Sequence, residues 1–200
     1  MKISRKEAEK SFKKDFVGKV ALELFSHSNF DRVSMDEIAR EAEFGKGTIY
    51  KLFSGKEEIL VHVICQGIEN LCRDLQEQCL GSSDARQALE SLLELEYDFY
   101  AEYSNLVLAL VFRQSDDFDP DYLQRIRERH QQHSDLLEQI FERARNAGMQ
   151  FGTDNLELIR GMEAAIKGLI INHIEKPFLD NSRAKDLQLI NAMLWTGLLA

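Results

Sequence analysis

Lys46, Thr48 and Lys51 set three hydrogen-bond donors within six residues, beside Gly45 and Gly47 and interleaved with the apolar Ile49, Leu52 and Phe53. On a helix that begins near Gly47, the donors fall at its start and outer face while the apolar residues turn inward. Lysine and threonine donors around a helix start suit phosphate oxygens and base edges. The two glycines permit a tight turn and a close backbone approach to phosphate. Upstream, Ser34 offers a hydroxyl and nearby free amides at a second helix start, another place where a phosphate can sit. Ser34 with Glu37 three residues on reads as a capping box, and Met35, Ile38, Ala39 and Ala42 give that helix a narrow apolar face. A turn over residues 43–47 joins the two helices. Short helices separated by such a turn match a helix-turn-helix, in which one helix crosses the nucleic-acid backbone and the next enters the major groove. The bland alternative is three amphipathic helices carrying ordinary solvated charges.

Other chemistry finds little support. There is no nucleophile paired with a base, no H-E-x-x-H motif and no phosphate loop, so the sequence points away from an enzyme and implies no cofactor. His130 and His133 stand one helical turn apart, as metal ligands can, but Arg127, Glu128, Arg129 and Gln131 around them suggest a solvated face. His62 and Cys65 share that spacing. No metal site is expected. Cys65, Cys72 and Cys79 recur every seven residues. Seven helical residues rise about 10 Å, whereas bridged Cα atoms lie within about 7 Å, so no pair can bridge within one helix. They read as small buried hydrophobes in a reducing compartment, with a thiol sensor as the sharper alternative.

The elements that must position these residues are helical. Among 200 residues only Pro120 and Pro177 are prolines, and no run alternates apolar and polar residues with β-branched types. The fold class is all-α. A first helix runs from about Ser4 or Glu7 to Ser26, with Phe12, Phe16, Val20, Leu24 and Phe25 at helical spacing. A long fourth helix runs from Lys56 to about Leu80, and Gly81-Ser82-Ser83 breaks it. Two helices follow, 85–102 and 104–114, then a polar helix after Asp119-Pro120 that Ala147-Gly148 ends. Thr153-Asp154 caps an eighth helix that stops before Pro177, and Ser182 starts a ninth. Residues 1–56 form a three-helix head and residues 57–200 a bundle body, with the boundary inside the fourth helix.

Charge follows the same division. The head holds twelve Lys and Arg against nine Asp and Glu, and the body thirteen against twenty-five, which together make the net −9. Seven of the basic residues lie in the first nineteen, against three acids. A basic head on an acidic body directs polyanions to one end. The N-terminus lacks the apolar core of a signal peptide, and no stretch of about 18 apolar residues exists, so a cytoplasmic protein with no membrane partner is expected.

The run from Leu24 to Leu60 resembles the tetracycline-repressor (TetR) family of bacterial regulators. The matching elements are Ala21 with Leu24-Phe25, Ser34 through Ile38-Ala39, Ala42, Gly47-Thr48-Ile49-Tyr50, Phe53 with Lys56-Glu57, and Leu60. The resemblance implies a ligand-responsive regulator, most often a repressor, that binds a palindromic operator in double-stranded DNA as a homodimer. It assigns Ser34 to a phosphate, Lys46, Gly47 and Thr48 to base- or phosphate-facing roles, Tyr50 and Lys51 to the DNA backbone, and Lys56 to a further phosphate. It also implies a helical body that binds a small-molecule effector and dimerises through its last two helices. Two positions depart from the pattern: Asn29 and Glu43 stand where the family usually has glycine. Asn tolerates a left-handed backbone, whereas Glu43 also brings a negative charge to the central turn.

Within the body, Glu96, Tyr100, Tyr103, Phe112 and Arg113 combine aromatic surface with polar tips, as an effector pocket requires, although such a stripe is equally the composition of a core. Met162, Ile166, Ile170 and His173 on the eighth helix, with Ile190, Leu194 and Trp195 on the ninth, make faces too apolar for solvent and are expected at a dimer interface, unless they close the monomer's own core. The competing function is a helical protein-interaction or thiol/metal-sensing module with weakened DNA binding, which Glu43 and the overall acidity favour.

Overall fold

The structure is a computed structural model and describes residues 4–28, 30–112, 119–175 and 182–193, apart from the side chains of 110–112. Among these residues the fold is all-α with no strand: α1 (Arg5–His27), α2 (Met35–Glu41), α3 (Lys46–Leu52), α4 (Lys56–Leu75), a π-helical turn (Gln76–Leu80), α5 (Ala85–Phe112), α6 (Pro120–Asn146), α7 (Asn155–Glu175) and α8 (Arg183–Ala192).

Most helix ends follow from local chemistry. Ser4 and Glu7 make a full capping box at α1, with the Glu7 amide donating to Ser4 Oγ at 3.2 Å and the Ser4 amide to Glu7 Oε2 at 2.9 Å. At α2 only half of the expected box forms. Ser34 Oγ accepts the Glu37 amide at 3.1 Å, but the Glu37 carboxylate lies by Arg40 at 3.9 Å instead of returning to the cap. Asp119 Oδ1 accepts the Asp121 amide at 2.9 Å ahead of α6, and Asp154 Oδ1 accepts that of Glu157 at 2.9 Å ahead of α7. Gly148, at φ 92°, closes α6 with amide bonds from Gly148 to Arg145 O and from Met149 to Ala144 O.

The same closing motif ends α2, with a glutamate where glycine is favoured. Glu43 has φ 55°, its amide bonds Arg40 O at 3.1 Å, and the Phe44 amide bonds Ala39 O at 3.0 Å. A left-handed backbone costs a β-carbon-bearing residue about 1–2 kcal/mol, part of which glycine returns through its looser unfolded chain. Glu43→Gly is therefore expected to stabilise the protein by about 1 kcal/mol, raising the melting temperature by about 2–4 °C, and thermal denaturation checks it. An unchanged or lower midpoint would show that the Glu43 side chain offsets its backbone strain.

Two expectations about the helices are corrected. The segments 85–102 and 104–114 are not two helices, since α5 runs unbroken from Ala85 to Phe112. Neither Gly nor Pro interrupts it, and Tyr103, at the expected break, is buried. The first helix also does not bury the whole stripe read from its spacing. Val17, Gly18, Ala21 and Phe25 face inward, whereas Phe12 is 71% exposed and Phe16 42%. The stripe runs past the end of the surface that α2 and α3 cover.

The chain forms two compact units. The first comprises residues 4–67 with the described part of 103–127. Val17, Phe25, Ile38, Ile49, Phe53, Ile59 and Leu60 are buried in it. Residues that the spacing placed in the body join this unit through Asn105 Nδ2, which donates to Ser26 O at 3.0 Å, and through Tyr122 Oη, 2.9 Å from Ser54 Oγ. The second unit comprises residues 68–102 with the described part of 128–193 and packs Leu75, Leu89, Leu92, Leu93, Leu137, Phe141, Leu158 and Ile166 into one apolar core.

Candidate nucleic-acid interface and body site

Helix α3 separates its residues as the donors require. Ile49 is fully buried and Leu52 nearly so, while Lys46, Gly47 and Lys51 are exposed, Thr48 is half-buried and Tyr50 is 55% exposed. A tyrosine held this far out on a short helix is free to present ring and hydroxyl to a partner. Lys46 Nζ is 2.5 Å from Asp36 Oδ2, an exposed pair that joins the start of α3 to the start of α2 and that a competing phosphate can displace at little cost.

Lys56 occupies a different environment from the other lysines. Its ammonium donates to Phe30 O at 2.7 Å, Val33 O at 2.8 Å and Asp31 O at 3.3 Å, and it lies 4.5 Å from the Phe30 ring centre. Its charge is spent on the loop that precedes α2. Glu58 performs a similar task on the other side of α4, accepting from the Ser54 amide at 2.7 Å, Ser54 Oγ at 3.0 Å and Lys14 Nζ at 3.0 Å. Burial alone would raise the Glu58 carboxyl, but those donors outweigh it and hold the group below the usual carboxylate range.

In the second unit, Glu96 and His133 form a fully buried pair with Nε2 to Oε1 at 2.5 Å. His133 thus does not lie on a solvated face beside His130. It turns into the core against Glu96. Tyr100 is buried in the same unit, with Lys167 Nζ 4.7 Å from its ring centre and bonded to Glu163 Oε2 at 2.7 Å. Glu96 and Tyr100 therefore come together with three partners that spacing alone had not singled out for ligand work: His133, Glu163 and Lys167. Tyr103 does not join them. It packs in the first unit against Gly67, where a β-carbon would meet its ring at 2.5 Å. The Phe112 side chain and Arg113 lie outside the described residues.

The dimer candidates are corrected. Met162, Ile166, Ile170 and Ile190 are buried in the core of their own unit. His173 is half-buried, with Nε2 2.9 Å from Asp186 Oδ2, the oxygen that also accepts the Tyr97 hydroxyl at 2.6 Å. The apolar residues that α7 and α8 expose are instead Leu156, Ile171, Ile174, Leu189 and Met193. Periodicity had found the apolar helices but chosen the face that points inward. Leu194 and Trp195 lie outside the described residues.

Cys65 and Cys79 are buried and Cys72 is half-buried. Burial pushes the Cys79 thiol up to about 12, with the Glu96 charge adding to it, and pushes the Cys72 thiol up as well. Raised thiols hold little thiolate at neutral pH, which speaks against a redox sensor.

Two imidazoles, the buried His133 and the half-buried His62, are perturbed in opposite directions. Burial lowers His62, with Lys14 and Arg125 adding to it against the pull of Asp15. Burial would also lower His133, but the bond to Glu96 and the charges of Glu96 and Glu163 outweigh it and raise the group. The stability His133 contributes is full below its unfolded value, near 6.5, and is lost as pH rises through its folded pKa. That of His62 is full above the same value and is lost as pH falls through its folded pKa. Nitrogen-detected NMR titration is expected to place the two imidazoles on opposite sides of 6.5, and a shared midpoint would contradict the Glu96 pairing.

This geometry, a three-helix head whose last helix presents donors and a helical body with a buried polar centre, defines a helix-turn-helix protein with an appended all-α domain. Residues 19–63 match the family model described as bacterial regulatory proteins, tetR family. A 92-residue stretch, 46% of this chain, is 30% identical to the HTH-type transcriptional activator FasR of Mycolicibacterium smegmatis and covers 42% of that protein. The chain spans less than half the length of the curated relatives it matches. Among solved structures, a Saccharomonospora viridis chain assigned to the transcriptional regulators, in complex with choline, aligns at TM-score 0.80 and 18% identity over 95% of this chain and 99% of that one. The transcriptional regulator FadR of Bacillus subtilis, in complex with stearoyl-CoA, aligns at 0.71 and 18% identity over 90% and 96%. The head of this chain is thus similar to the tetR family over residues 19–63, and the solved structures share the fold of the whole chain.

Proposed function

We propose that this chain is a ligand-responsive transcriptional regulator of the cytoplasm that binds a palindromic operator as a homodimer. The observation that carries the reading is α3, which buries Ile49 and Leu52 and leaves Lys46, Thr48, Tyr50 and Lys51 outward at one helix face. Residues 1–56 serve as the reading head and 57–200 as the effector and dimer body. Ser34, Lys46, Gly47, Thr48, Tyr50 and Lys51 contact the DNA. The exposed Ile171, Ile174, Leu189 and Met193 support a two-fold contact through α7 and α8, and a two-fold protein matches two half-sites. The effector binds in the body at Glu96 and Tyr100, changes the separation of the two heads and lowers operator affinity, which makes the protein a repressor. Effector-bound neighbours of this fold support a ligand in the body. The activator name of the Mycolicibacterium relative favours the opposite sign as a second reading.

Footprinting on the DNA upstream of the protein's own gene tests the proposal. Two symmetric protected half-sites are expected, and a reporter fused to that DNA separates repression from activation. Absence of protection at low salt, where phosphate contacts are strongest, would remove the reading.

A further inference from the structure

The body is acidic, with twenty-five Asp and Glu against thirteen Lys and Arg, and one cleft in it reverses that sign. The cleft opens between α4 and α6, holds about 320 Å³ and lies wholly within the second unit. Its size falls within the usual range for small-ligand pockets. Arg73 of α4 and Arg129 of α6 line it, and Glu69 is the carboxylate beside them. Two guanidiniums against one carboxylate leave the cleft with one net positive charge.

Both ends of the cleft are tied. At one end Arg129 pairs with Glu69 from helix to helix. At the other, Arg143 of α6 donates to the carbonyls of Leu80 and Ser82, at and just past the π-helical turn that follows α4. The walls therefore stand at a set spacing before a ligand arrives, which lowers the cost of ordering on binding. Gln76, on the same rim, opens that π-helical turn, and such breaks in an α ladder gather at functional sites. Ile68, Cys72 and Leu136 make the floor apolar.

The groups around the floor are mainly donors. A guanidinium carries five N–H groups. Arg73 gives one to Asn70 Oδ1, and Arg129 gives one to Gln132 Oε1 at 2.9 Å besides its pair with Glu69. Each arginine can therefore serve a further acceptor, and Gln132, with its oxygen occupied by Arg129, presents Nε2 as a donor. An ammonium ligand would meet two cations of its own sign. A neutral ligand would leave the excess charge unanswered. A carboxylate matches both the charge and the planar fork of a guanidinium, and the apolar floor requires that it carry a hydrocarbon part.

We propose that the α4–α6 cleft binds a small organic carboxylate, with Arg73 and Arg129 on the carboxylate group and Ile68, Cys72 and Leu136 against the hydrocarbon part. Neither Glu96 nor Tyr100 lines this cleft, so the site is separate from the effector position proposed above and does not depend on it.

Calorimetric titration of the full chain with hexanoate, hexylamine, 1-hexanol and acetate at neutral pH tests it. Hexanoate is expected to bind about tenfold more tightly than hexylamine or 1-hexanol, the worth of one charge-assisted contact. It is expected to bind about tenfold more tightly than acetate, the worth of about two methylenes covered by the floor. Arg73→Gln and Arg129→Gln are each expected to weaken hexanoate about tenfold. Should Arg129→Gln disturb the helix pair, Arg73→Gln carries the comparison, because Arg73 is exposed and bonds Asn70 on its own helix. Glu69→Gln acts in the opposite direction. It releases Arg129, raises the positive charge of the cleft and is expected to tighten hexanoate about threefold, an outcome that damage to the fold would not give. Circular dichroism confirms that each variant is helical. Equal or tighter binding of hexylamine, 1-hexanol or acetate overturns the proposal, as does unchanged hexanoate affinity in either folded arginine variant or weaker binding to a folded Glu69→Gln.

Discussion

Replacing Tyr50 and Lys51 together by alanine is expected to reduce operator affinity by about a hundredfold while leaving the fold intact. Each DNA contact of this type contributes about 1–3 kcal/mol, and a total near 3 kcal/mol corresponds to that factor. The fold survives because neither side chain packs inward. Tyr50 is 55% exposed and Lys51 is exposed, whereas Ile49 and Leu52 on either side of them hold α3 to the head. Alanine also favours the helix. The two residues act differently, and salt separates them. Losing the Lys51 charge removes one phosphate contact, so the slope of log affinity against log salt becomes shallower by about one. Losing Tyr50 weakens binding with the slope kept, since its contribution is a neutral ring and hydroxyl. Fluorescence anisotropy with an operator duplex over a range of salt reads both numbers, and circular dichroism reports the helicity. Retained affinity in the helical double variant would mean that α3 is not the reading helix.

Replacing Lys56 by methionine is expected to destabilise the protein by about 2–3 kcal/mol, because the ammonium's donors to Phe30 O, Asp31 O and Val33 O are lost together. The melting temperature falls by about 4–12 °C for a chain of this size. Methionine keeps a stem of similar length over the Phe30 ring, so the loss reports the charge more than the packing. The family resemblance assigned this lysine to a phosphate. That role predicts another outcome: near-normal stability with a weaker, less salt-dependent complex. The geometry favours the brace. An ammonium already holding backbone carbonyls of the loop before α2 fixes where Ser34 and the start of α2 stand, and so acts on DNA through their position. Denaturation and anisotropy on the same variant distinguish the two.

The helix ends show how far local chemistry carries. Ser4 with Glu7, Asp119 before Pro120, Asp154 and Gly148 each act through bonds to residues a few positions away, so their types and spacing suffice to place a boundary. The departure at Glu43 was visible for the same reason. A glutamate in a glycine position implies a left-handed residue, and its φ of 55° is that conformation. The α3 donors were legible too, since a seven-residue helix with Ile49 and Leu52 on one side has only one way to sit on the head. Half of the Ser34 box was not, because the Glu37 carboxylate had a choice between the cap and Arg40, and spacing does not rank the two.

The sequence by itself determined an all-α chain, a helix-turn-helix head and the resemblance of that head to the tetR family. These depend on periodicity, capping and short-range spacing, which act between near neighbours along the chain. The tertiary structure alone decided which partner each face and charge would meet. It joined 85–102 and 104–112 into α5, turned Met162, Ile166, Ile170 and Ile190 into the core, gave Lys56 to loop carbonyls, and placed His133 against Glu96 thirty-seven residues away. A helical repeat shows that a face is apolar, or that a charge recurs along it, and carries no information about what will cover it. That is settled when distant helices pack, because a buried carboxylate must find its donors wherever the fold brings them.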